Sequence, residues 1–101
     1  MGMPYRYVPS SVPEVREQIC AMVIAIPDLV DNIADGGVPG AFRDLQDGLN
    51  LIRKRLGEKL YLQLSEMAEA SHAHFKAGED RQGRFILQDM DEAMRQRPKA
   101  N

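Results

Sequence analysis

Two histidines, one cysteine and a string of aspartates are the residues of this 101-residue chain whose chemistry could extend beyond packing. His72 and His74 stand two positions apart, and on a helix that spacing turns them about 200° from one another, so they cannot grip one metal ion together. No second cysteine and no third histidine exist to join them, and a closed four-ligand zinc site cannot be assembled within one chain. Cys20 has Arg16, four residues earlier, as its only candidate cation, and it reads as a small buried apolar residue rather than an activated thiolate. A serine elbow, a phosphate-cradling glycine loop and a paired Cys and His are all missing from the sequence, so neither catalysis nor a cofactor is expected.

The run His74-Phe75-Lys76-Ala77-Gly78 superficially suggests phosphotransfer. Its lysine follows the histidine by two residues, whereas the histidine phosphotransfer motif has it at three, so the side chain points elsewhere. Charge says more. Lys and Arg number 13 against 15 Asp and Glu, a net charge of −2 that excludes the overall basic balance of a general nucleic-acid coat. Between Glu17 and Ile52 six acids meet one base, Arg43, a local balance of −5. Asp28, Asp31 and Asp35 step by three and four and would form one acidic ridge on a helix, with Asp44 and Asp47 extending the same acidic region. These five aspartates are the candidate partner-binding residues, suited to steer a basic protein surface such as a toxin or nuclease domain. The opposite cluster, Arg53-Lys54-Arg55 with Lys59, could touch phosphates. It supports the alternative of a small helical DNA-binding regulator, although the Gly57-Glu58 break is short for a helix-turn-helix and nucleic acid is the disfavoured partner.

What must position these groups is a set of helices. An apolar content of 44% with 28% charged residues fits one folded domain over residues 1–101. Residues 1–10, with Pro4, Pro9 and two tyrosines, read as an extended arm. Ser11-Val12-Pro13-Glu14 has the form of a capping box, and Val15, Ile19, Met22, Val23 and Ile26 then share one helical stripe up to Pro27. A short second helix over 28–34, or a bent continuation of the first, closed by a turn at Gly36-Gly37 and Val38-Pro39-Gly40, is expected next. Phe42, Leu45, Leu49, Ile52 and Leu56 mark a helix from Ala41 to a Gly57 cap. Leu60, Leu64, Met67 and Ser71 mark another from Glu58 to Gly78, and Ile86, Leu87, Met90, Ala93 and Met94 mark a last helix after an Asp80 cap, with a loose tail at 98–101. No segment alternates with strand period. The predicted fold is all-α: an antiparallel bundle of three long helices plus one short helix with an extended N-terminal arm, because each stripe must be buried on a neighbour. The most apolar run, Ile19 to Ile26, is less than half the roughly 20 residues that span a bilayer, so no membrane partner is expected. A lone cysteine and acidic residues where a basic leader would stand make the cytoplasm the expected location.

Leu45-x-x-Gly48-Leu49-x-x-Ile52-Arg53-Lys54-x-Leu56-Gly57-Glu58-Lys59-x-Tyr61-x-x-Leu64, followed by Ala73-His74-Phe75 and Leu87-Gln88-Asp89-Met90, resembles small all-helical immunity-type proteins associated with bacterial polymorphic toxins. The likeness is detailed over 45–64 and general over 12–95. It implies a non-catalytic protein that neutralises a cognate toxin by occluding its active surface. A second copy of the chain remains open as a further partner.

Overall fold

The computed structural model of the chain describes residues 8–26 and 36–96, and every structural statement below concerns these. They form five helices and no strand: α1 (Val12–Ala25), α2 (Gly37–Leu51), α3 (Arg53–Leu56), α4 (Glu58–Lys76) and α5 (Asp80–Arg95). The all-helical expectation holds. Four of the helices run 14 to 19 residues, where three long ones were expected, and the short one is a four-residue α3. The short helix expected over 28–34, most of the arm and the tail lie outside the described residues.

Helix α1 begins where the capping pattern put it. Ser11 is extended, and its hydroxyl accepts from the Glu14 N–H at 3.3 Å. Glu14 reaches back one residue further than expected, its carboxylate accepting from the Ser10 N–H at 2.8 Å. Pro9 is buried beside Gly48 of α2, so close that a Cβ on Gly48 would lie 2.7 Å from the proline ring. The end of the arm is thereby tucked against the helical body.

Helix α2 corrects the sequence reading at both ends. It starts at Gly37 and not at Ala41, because Gly36 takes the left-handed conformation (φ 85°) as N-cap and Pro39 falls in the first turn, where backbone N–H groups have no intrahelical partner to lose. The expected glycine-proline turn is therefore the first turn of a helix. At the other end the helix stops at Leu51. Ile52 leaves helical geometry (φ −102°, ψ 12°) before α3 resumes, yet Leu49, Ile52 and Leu56 all remain buried, so the break does not disturb the apolar stripe. Arg53, Lys54 and Arg55 consequently belong to a separate short element. Gly57, at φ 85°, joins it to α4.

The packed pairs are α1 with α5, α5 with α4, α4 with α2 and α2 with α1, and α3 rests mainly on α4. Val15, Ile19 and Met22 of α1, Leu45 and Leu49 of α2, Leu64 of α4, and Leu87, Met90 and Met94 of α5 meet in one core. The α4–α5 connection is a Schellman end: Gly78 is left-handed, its N–H donates to the Phe75 carbonyl, and the Glu79 N–H donates to the His74 carbonyl at 2.8 Å. The two helices then approach closely at Gly83, where the Phe75 ring occupies the space of a side chain. The buried Ser71 hydroxyl donates to the Gly83 carbonyl at 2.8 Å. No helix among the described residues is long and apolar enough to cross a membrane.

Candidate functional site

Helices α2 and α4 leave a groove of about 430 Å³ on the outside of the molecule. Phe42 arrives there on the core stripe of α2, and His72 arrives from α4 one position after the buried Ser71. The two rings lie parallel, 4.7 Å between centroids and 7° between planes, while Phe42 also meets Phe75 at a tilt. One wall of the groove carries Arg43 from α2, and the other carries Glu69 from α4. The groove's side walls are held at a fixed distance by a reciprocal pair of bonds. Gln46 Nε2 donates to the Ser65 carbonyl at 3.0 Å, and the Ser65 hydroxyl donates to Gln46 Oε1 at 2.9 Å.

Electrostatics favour a neutral His72. Burial against Phe42 disfavours the charged ring, and Lys76, one turn further along α4, adds repulsion, so the imidazole pKa lies below its ordinary value. The His72 Nε2 atom is buried without a hydrogen-bond partner. An aromatic floor between walls of opposite charge suits an apolar or aromatic side chain that carries a polar end, the usual form of an anchor residue in a protein interface.

The two histidines do point apart, as their spacing requires, and both are half-buried. His72 lies on Phe42, and His74 Nδ1 sits 2.7 Å from Glu79 Oε1 at the outer end of α4. Among the described residues no three His, Cys, Asp or Glu side chains come together as metal ligands. Cys20 is a clear correction: it is exposed, because the face of α1 that buries Ile19 and Met22 turns Cys20 outward.

Of the five aspartates, Asp28, Asp31 and Asp35 lie outside the described residues. Asp44 is only 2% exposed and has Arg43 Nε 3.5 Å from its carboxylate, whereas Asp47, one turn further on, is exposed. The basic cluster is partly committed within the molecule. Arg53 Nε donates to Glu58 Oε1 at 2.8 Å, Nη2 donates to Oε2, and the guanidinium lies 4.5 Å over the Tyr61 ring. That hydrogen bonding holds the Glu58 carboxyl below its ordinary range. Lys54, Arg55 and Lys59 are exposed.

The groove itself was not foreseen from the sequence. Phe42 was assigned wholly to the core, and nothing in a linear reading pairs it with a histidine far along the chain. In comparisons with known proteins, no protein family, no curated protein and no solved structure matches this chain.

Proposed function

We propose that this chain is a non-catalytic protein-binding domain, an immunity-type inhibitor that occludes a cognate bacterial toxin in the cytoplasm. The observation that supports this reading best is the α2/α4 groove, whose Phe42–His72 floor and Arg43 and Glu69 walls offer a seat for an anchor side chain. The sequence resemblance over 45–64 supports the same role, since that stretch supplies Gln46 and the end of α2. A partner seated here contacts α2 and α4 together, and the acidic stretch from Asp28 to Asp47 favours approach by a basic surface.

Co-expression with the product of the reading frame immediately upstream tests the proposal. The expected result is relief of growth arrest and a one-to-one complex on size-exclusion chromatography. Arg43→Glu combined with Glu69→Lys reverses both walls and should weaken that complex by about tenfold or more, about 1.4 kcal/mol at least, while leaving the helical circular dichroism unchanged. An upstream product that is harmless and forms no complex overturns the reading.

A further inference from the structure

The two charged walls of the α2/α4 groove are not equivalent. Arg43 Nε lies 3.5 Å from the buried carboxylate of Asp44, its neighbour on α2, so its positive charge is met within the molecule. Glu69 is exposed on α4, and among the described residues no hydrogen bond or ion pair engages its carboxylate. The groove therefore keeps an anion to spare, although its lining residues carry both signs.

Beside that anion lies a surface suited to a flat cation. Glu69 and His72 stand three residues apart on α4, which makes them neighbours on one face of the helix. Phe42 is only 3% exposed beneath the His72 ring, whereas His72 is half-buried, so the imidazole is the part of the stack that a guest meets. Burial keeps that ring uncharged at neutral pH, and a neutral imidazole admits a cation that an imidazolium would repel. A guanidinium is planar, weakly hydrated, able to lie on an aromatic face and able to present paired N–H donors to a carboxylate; an ammonium is a compact, strongly hydrated point charge. The methylene stem that carries a guanidinium also suits the apolar edges of the groove, Pro39 and Ala68. Lys76, one turn beyond His72, repels positive charge at that end and so directs it toward Glu69.

We propose that the occupant of the groove is an arginine side chain of the partner protein, its guanidinium laid on the His72 ring and hydrogen-bonded to the Glu69 carboxylate. This assignment rests on the reading of the groove as a partner's seat and adds the chemistry of the residue that fills it. Capped glycine pentapeptides with a central arginine, lysine, tyrosine or glutamate, titrated into the full chain at neutral pH and low salt, test it by NMR. The arginine peptide is expected to shift the His72 ring resonances saturably, the lysine and tyrosine peptides more weakly, and the glutamate peptide not at all. Glu69→Gln should raise the dissociation constant of the arginine peptide by about threefold, the scale of an exposed ion pair. Asp89→Asn, which removes the same charge from an exposed position on α5, should leave it unchanged. Equal affinity for the lysine or tyrosine peptide, or an arginine peptide indifferent to Glu69→Gln, overturns the proposal. Silence of the His72 ring toward the arginine peptide, while the upstream product still forms its complex, overturns the arginine assignment and leaves the inhibitor reading standing. A seated arginine peptide beside an upstream product that forms no complex supports the assignment and removes only that reading.

Discussion

A histidine laid flat on a phenylalanine is a base that the fold keeps neutral. His72 has a folded-state pKa below its ordinary value of 6.5, first because of burial and second because of Lys76. Arg43 across the groove adds positive charge, and Glu69 on α4 is the anion that shares the groove with it. Above the unfolded-state pKa both states are neutral and the stack contributes in full. As pH falls through that value, the unfolded chain takes up a proton that the folded chain resists, so stability declines until the folded-state pKa is passed. The urea midpoint is therefore expected to drop as pH falls below the ordinary imidazole value of 6.5, and His72→Phe, which retains a ring against Phe42, should flatten that drop. An equal drop in the variant would assign the acid sensitivity to other groups.

At the scale of elements, the tightest demand is where α4 and α5 meet at Gly83. A Cβ there would lie 2.6 Å from the Phe75 ring, and the ring is held between Phe42 and α5 with little room to withdraw. Gly83→Ala, normally favourable inside a helix, is expected instead to cost about 1–3 kcal/mol, the range for overpacking a filled core. Chemical denaturation measures it, and a stabilised variant would contradict the packing described. Gly83 also illustrates what a sequence can and cannot express. The stripes of α2, α4 and α5 were readable because leucines and methionines recur at three and four, and the Ser11 cap and the Gly78 end were readable because few residue types perform those tasks. The start of α2 was not, since Gly37 to Gly40 has turn composition and Gly36 and Gly37 both take positive φ where the helix opens. The outward face of the second half of α1 was equally hidden, because a stretch apolar on every side, Ile19 to Ala25, does not reveal which side its neighbours take. Phe42 and His72 meet only through the α2–α4 packing, which no local pattern encodes.

For the molecule as a whole, the charge distribution bears on how fast a partner arrives more than on how firmly it stays. Reversing Asp28, Asp31 and Asp35 to Lys together is expected to slow association with a basic partner, weaken binding and flatten its salt dependence, with helicity retained. Surface plasmon resonance across a salt series reads all three. Unchanged affinity would remove these acids, which lie outside the described residues, from the interface.

The pairing of α1 with α5 joins the first described helix to the last. During synthesis the amino-terminal helix is finished long before the strip that covers it has left the ribosome, while α4 and α5, linked by a tight turn, can close on each other at once. Until then the apolar stripe of α1 has only α2 to lie against. A nascent chain of this protein therefore offers chaperones an apolar strip that closes only once α5 has emerged and packed on α1.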